Sequence, residues 1–222
     1  MQVFRRELLQ RNRVSRGKST VVLLDRILGI PWVYDHVRPF VMGNPDPTPV
    51  FEMLGDCAND VLLDIGCGTG VALNYLERFG SYHGFDPDSS AVAAASRKHA
   101  SSNIHFYARA VVAEDLASIR PTKALLMNLL HHLNDEGVLD LLRMLHAAPS
   151  ITQVVTADPV YAPGRPIGNT LARLDRGKFV RTVDGMKQLL SQVPMEVRSS
   201  LVASPGRGWQ TGFAADLRPR RD

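Results

Sequence analysis

Apolar runs of a strand's length recur through the middle of this chain, at 60–65, 82–86, 103–107, 123–128 and 151–157, and between them the apolar residues fall at helical spacing. Side chains alternate in a strand and return every three or four residues in a helix. The pattern predicts helix 70–79 closed by Gly80, helix 89–99, a short helical turn near 113–118, and helix 135–148. In that last helix Asn134 stands as N-cap, Asp135 and Glu136 put negative charge in the first turn, and Val138, Leu139, Leu141, Leu142 and Leu145 share one face. Helix 183–192 and strands 195–203 and 208–217 complete the order. Strand, helix and strand repeated in this way predict an α/β fold: a doubly wound, mostly parallel, seven-stranded sheet. No helix separates the last two strands, so they are expected to form a terminal antiparallel hairpin.

Upstream, residues 8–28 carry two amphipathic helical pieces broken near Ser15, Arg16 and Gly17, and Pro31 closes the second. Residues 31–42 read as a further short helix. Pro45, Pro47 and Pro49 then make 43–49 an extended linker, since proline suits neither a helix interior nor a central strand. The expected organisation is an N-terminal helical cap and linker over 1–50 and a main domain over 51–222. A Gly/Pro-punctuated, basic stretch within that domain is a candidate substrate lid at 160–183.

Composition narrows the class. With 222 residues, 45% of them hydrophobic, the chain can bury one sizeable α/β core. No run of about 20 apolar residues offers a membrane span, and the arginine-rich start is not followed by an unbroken apolar stretch, so a cytoplasmic protein is expected. Cys57 and Cys67 are too few for a disulfide framework and form no metal-binding pair, and no metal is expected. The net charge of +4 is concentrated at one end: Arg5, Arg6, Arg11, Arg13, Arg16 and Lys18 stand against Glu7 alone. A near-neutral body with a basic arm argues against a nucleic-acid partner. The arm is either a solvated helix or a contact for a polyanion or a membrane surface.

The chemistry sits where the first strand ends. Residues 61–70 read Val-Leu-Leu-Asp-Ile-Gly-Cys-Gly-Thr-Gly, and Gly66, Gly68 and Gly70 let backbone N–H groups approach a polar ligand. Asp86 closes the second strand twenty residues after Gly66, where a carboxylate can accept from a ribose diol. A dinucleotide fingerprint would place its third glycine one residue later, where Val71 stands. Asp64 would also repel a pyrophosphate and suits a ligand with a positive amino group instead.

The pattern Asp-x-Gly-x-Gly-x-Gly followed by Gly-Phe-Asp resembles the class I S-adenosylmethionine-dependent methyltransferases, over roughly residues 60–156. The resemblance implies a Rossmann-like methyltransferase fold and S-adenosyl-L-methionine as cofactor. It implies that the turn carrying Asp64, Gly66, Cys67 and Gly68 lies along the methionine part, with Cys67 chosen for its small size, and that Asp86, next to Pro87, holds the ribose. Family members usually place an acid after the third strand to meet adenine, but here the stretch is Ala108-Arg109-Ala110-Val111. Backbone groups of Arg109 and Ala110 are then expected to edge the adenine, with Arg109 stacking on it. Asn128 and Leu129 fall at the methionine end, and Tyr34 and Arg38 resemble positions that close over it.

The segment Leu130-His131-His132 resembles that of many small-molecule methyltransferases. His131 or His132 can take a proton from an acceptor hydroxyl, or both can pack beneath the loop. After the fifth strand Asp158 and Tyr161 can orient or deprotonate a hydroxyl, or cap a local turn. Arg165, Arg173, Arg176, Lys178 and Arg181 in the insert permit an anionic acceptor, or form a solvated face. No Asn/Asp-Pro-Pro-Tyr tetrad follows the fourth strand, which argues against methylation of nucleic-acid base amino groups. The expected activity is methyl transfer to a small-molecule acceptor at a hydroxyl oxygen, with His131 and Asp158 as catalytic candidates. The alternatives are an RNA or protein methyltransferase using the basic arm, and a non-catalytic partner subunit that binds the cofactor.

Overall fold

The computed structural model describes residues 46–174, 177–203 and 211–220. Tyr34, Arg38 and the helices expected upstream of the linker lie outside the described residues. The first described element, α1 (Thr48–Leu54), begins inside the expected linker. Pro49 falls in its first turn, where a missing N–H breaks no helical hydrogen bond, and Asp46 Oδ1 accepts from Thr48 N at 2.9 Å.

Eight strands share one sheet: β1 (Cys57–Ile65), β2 (Phe79–Phe85), β3 (Ile104–Tyr107), β4 (Lys123–Met127), β5 (Gln153–Tyr161), β6 (Arg181–Thr182), β7 (Met195–Ala203) and β8 (Thr211–Pro219). Their order is β3-β2-β1-β4-β5-β8-β7, with the two-residue β6 pairing β5 beyond the expected seven. The pairs among β1 to β6 are parallel, whereas β8 runs antiparallel to both β5 and β7, which makes the terminal hairpin. Between the strands lie α2 (Ser89–Lys98), α3 (Ala113–Ile119), α4 (Asp135–Ala147), α5 (Pro166–Leu174) and α6 (Val183–Leu190). Asn134 caps α4 as expected, its Oδ1 accepting from Gly137 N at 2.9 Å.

Strand alternation splits the core between the two faces of the sheet. Leu63, Phe85, Leu126, Leu142 and Leu190 fill one side, and Leu54, Leu62, Tyr82, Leu125 and Ala214 the other. Among the described residues no helix is long and apolar enough to cross a membrane.

Three sequence expectations need correction. Helix 70–79 is a single 3-10 turn, Val71–Asn74, because β2 takes the chain from Phe79 onward, pairing Phe79 with Cys57. Gly80 therefore ends no helix; it lies in β2, where a Cβ would stand 3.0 Å from the Asp60 carbonyl oxygen. The fifth strand does not stop at 157. It runs on through Asp158 and Pro159 to Tyr161, because β8 lies against Asp158, Pro159 and Val160, and β6 against Val160 and Tyr161. The Gly/Pro-punctuated insert, for which no helix was expected, contains the helix α5.

Candidate active site

The turn after β1 is built by backbone hydrogen bonds that need left-handed glycines. Gly66, Gly68 and Gly70 have φ of 77°, 52° and 76°. Gly66 N and Cys67 N both donate to Phe85 O, at 2.8 and 3.2 Å, so the turn is fastened to the end of β2. The glycines differ in what surrounds them. A Cβ on Gly66 would meet Leu129 Cδ1 at 3.1 Å and one on Gly70 would meet His99 and Phe106, but one on Gly68 would meet nothing within 4 Å. Space for a ligand therefore opens at Gly68. The Cys67 side chain turns inward, where a Cβ on Gly84 would stand 2.9 Å from its Sγ, and burial, then Asp64 and Asp86, push its thiol pKa up.

Two carboxylates flank this turn. Asp86, half-buried at the end of β2, accepts from Gly68 N at 2.9 Å through Oδ2 and from Asp88 N at 2.8 Å through Oδ1. A carboxylate offers about four lone-pair sites, so two acceptor positions remain for a diol. Pro87 beside it is exposed. Asp64 is 2% exposed, and its Oδ2 accepts from the hydroxyl of Tyr82. Its Oδ1 is buried with no hydrogen-bond partner among the described residues. Burial chiefly, and the Asp86 charge after it, push the Asp64 pKa up to about 7 against the pull of the Tyr82 hydrogen bond.

The adenine side differs from expectation. The Arg109 guanidinium forks onto Asp115, with both contacts at 2.6 Å, and lies over the rings of Phe85 and Tyr107, at 5.2 and 5.6 Å. Its hydrogen bonds to Asp115 raise the Arg109 pKa and lower that of Asp115. The arginine thus stacks on the chain's own aromatics, and Ala110 O accepts from it at 3.2 Å. Asp115 was not foreseen; its sequence signal is an acid in the first turn of α3, where it also accepts from Val112 N.

At the end of β4, Asn128 is exposed and left-handed, φ 53°, and its N–H donates to Ala157 O at 2.7 Å. Asparagine tolerates this region better than most residues. Leu129 packs against Gly66. His131 is 1% exposed: its Nδ1 lies 2.7 Å from Asp158 Oδ1, which also accepts from His131 N at 3.1 Å, while Thr156 donates to Asp158 Oδ2. His132 is exposed and its ring lies 4.2 Å from that of His131. Asp158 and Tyr161 are an odd number of residues apart within β5 and point to opposite faces, so they do not form a carboxylate–phenol pair, the first of the two alternatives the sequence offered. Tyr161 stands instead under the Arg173 guanidinium, 6.0 Å away.

The insert closes over this end. A Cβ on Gly177 would come within 1.8 Å of His131 Cδ2, and Phe179 N donates to His131 O at 3.0 Å. Arg181 donates to Leu130 O, Leu133 O and Asp135 Oδ1 at 2.7–2.9 Å. Asn169 holds α5 to the end of β5 through both the N–H and the carbonyl of Ala162. Gly177, Arg181 and Asn169 were not singled out for these tasks; the first two act between segments distant in sequence, whereas Asn169 acts across only seven residues. Among the described residues no cluster of three or more His, Cys, Asp or Glu could hold a metal.

The glycine turn, the two carboxylates and the switch from β1 to β4 all fall within residues 62–148, which match the family model of a methyltransferase domain. The chain carries a methyltransferase domain in a Rossmann-like methyltransferase fold. Solved structures share the fold of this methyltransferase at low identity. An S-adenosylmethionine-dependent methyltransferase described as putative, from Listeria monocytogenes, is 16% identical, with 79% of this chain and 98% of that one covered and a TM-score of 0.60. One from Mesorhizobium loti is 19% identical, covering 77% and 95%, at 0.58. A mitomycin 7-O-methyltransferase is 16% identical, covering 83% and 54%, at 0.57. No curated protein matches the methyltransferase in sequence.

S-adenosyl-L-methionine is the cofactor that the sequence resemblance implies. The residues present fit it: an open position at Gly68, spare acceptors on Asp86, and a buried carboxylate oxygen on Asp64 that lacks a donor.

Proposed function

We propose that this methyltransferase modifies a small-molecule acceptor at a hydroxyl oxygen. The observation that carries the reading is the insert's closure over the β4–β5 end, with Gly177 seated on His131 and Arg181 strapped to the loop below. A site roofed by its own chain suits an enclosed small acceptor better than a polymer. The cofactor supplies an electrophilic methyl group on a sulfonium; the protein's task is alignment, which can be worth roughly 7–11 kcal/mol.

Asp64, Gly66, Cys67 and Gly68 would line the methionine part, together with Asn128, Leu129 and, from the cap, Tyr34 and Arg38. Asp86 and Pro87 would hold the ribose, and Arg109 and Ala110 would edge the adenine through their backbone. With Nδ1–H donated to Asp158, the basic lone pair of His131 is on Nε2, at the ring edge facing Gly177. His131 would take the acceptor's proton there when the insert lifts, and Asp158 would hold the ring in that tautomer. Residues 1–50 would serve as a cap and 160–183 as the lid. Cys57 and Cys67 are buried free thiols, which supports a reducing, cytoplasmic setting.

A screen with methyl-labelled cofactor tests the reading against hydroxylated small molecules, total RNA and total protein. Label in a hydroxylated small molecule is expected; label only in RNA or protein rejects it. His131→Gln should then depress turnover far more than affinity for S-adenosylhomocysteine, and an equally active variant would remove His131 from the mechanism.

A further inference from the structure

The unpartnered oxygen of Asp64 points to a residue that neither the glycine motif nor the ribose acid brings in. Asp64 sits opposite Gly84 in the β1–β2 ladder, and Tyr82 opposite Leu62, so both side chains emerge on the same face of the sheet. Tyr82 is fully buried, and Phe79 and Phe106 flank its ring at 6.2 and 5.7 Å, leaving the phenol little freedom. Its hydroxyl donates to Oδ2 of Asp64, which leaves Oδ1 as the carboxylate's one oxygen without a donor. A buried acceptor left unmade is costly, and among the described residues nothing supplies its donor, so a ligand that brings one is favoured.

We propose that Tyr82 is a positioning residue of the cofactor site: it anchors one oxygen of the Asp64 carboxylate and thereby presents the other to the cationic amino group of the bound cofactor. This rests on the proposed placing of the methionine part along the glycine turn. The groups that face Asp64 are Tyr82 from β2, Cys67 in the turn and Asp86 beyond β2. Among the described residues none of them is a cation, so a ligand's ammonium would find an uncompensated carboxylate there. Binding an ammonium requires the charged carboxylate, and the hydrogen bond from Tyr82 favours that form while burial opposes it. Affinity should accordingly fall as pH drops below about 7, where Asp64 takes up its proton. On the alkaline side it should fall as the ligand's own α-amino group loses its proton.

Calorimetric titration of the full chain with S-adenosylhomocysteine across this range tests the proposal with no need of an acceptor. Tyr82→Phe keeps the packed ring and removes only the hydroxyl. Its acid limb is expected to move about one unit to higher pH, making binding about tenfold weaker at a pH below both limbs, while the alkaline limb stays in place. A Tyr82→Phe profile that lies on the wild type, or parallel below it at every pH, overturns the positioning role. Asp64→Asn is expected to weaken binding and abolish the acid limb. If Asp64→Asn binds as the wild type does, it is the placing of the cofactor at Asp64 that fails, and the proposal with it.

Discussion

The two ends of the strand-edge crevice are finished in opposite ways. At the β1–β2 end, Asp86 keeps acceptor positions to spare, Asp64 carries an oxygen with no donor, and the space in front of Gly68 is open. At the β4–β5 end, Asp158 accepts from His131 N, His131 Nδ1 and Thr156 Oγ1, Arg181 is surrounded by carbonyls and a carboxylate, and Gly177 sits on the histidine ring. Polar groups left incomplete mark where a ligand finishes the structure. Groups completed from within mark where the chain must open before anything else enters. The first half is built to bind and the second to be unlocked.

Substitutions can break that contrast. The largest effect is expected at Gly177→Ala, whose Cβ would fall 1.8 Å from His131. Overpacking of this kind costs about 1–3 kcal/mol. Thermal unfolding should show the loss and methyl transfer should fall, yet S-adenosylhomocysteine affinity should hold within about twofold; a matching loss of affinity would show that the two halves are one unit. Next is Asp86→Ala, expected to weaken cofactor binding by more than about 1.5 kcal/mol with little change in melting temperature. Unchanged affinity in that titration would remove Asp86 from the ribose site.

Asp64→Asn should then sharpen the comparison through stability. Asp64's folded-state pKa is raised from 3.8 to about 7, so folding stability is lost as pH climbs through that window, and the full penalty stands above it. The ligand-free variant should melt higher than the wild type at a pH above about 7 and together with it near pH 3.8. A wild type that melts higher at both would mean that its fold does not carry this burden. The smallest effect is expected at Arg109→Gln. The guanidinium is half exposed and its Asp115 pair is of the surface kind, so cofactor affinity should stay within about fivefold. A larger loss in the same titration would return Arg109 to the adenine contact.

The glycine turn and its two acids were legible because their chemistry is local. Positive φ needs glycine, and an acid closing an apolar run falls at the carboxyl end of a strand. The succession of strands and helices along the chain followed from the alternation of periods, and Asn134 marked α4 in the same local way. What escaped was made between strands. Tyr82 reads as one more apolar strand residue until the register with β1 puts it on the face of Asp64. Pro159 looked like the end of β5, but pairing with β8 and β6 carries the strand past it. The apolar spacing of 70–79 fitted a helix, yet Leu73, Leu76 and Phe79 pack on the core with only the 3-10 turn Val71–Asn74 formed, because β2 takes the chain from Phe79 onward. Gly177, within a stretch read as a Gly/Pro-punctuated, basic lid, is positioned by contact with a histidine far away in sequence.

One contact ties the two finished ends together. Leu129 lies so near Gly66 that a Cβ there would stand 3.1 Å from its Cδ1. The gap between the loops after β1 and β4 is therefore gauged by the thickness of a single leucine. A smaller or larger side chain at position 129 would therefore reset the spacing of those two loops, changing the crevice's width through packing rather than through any polar group.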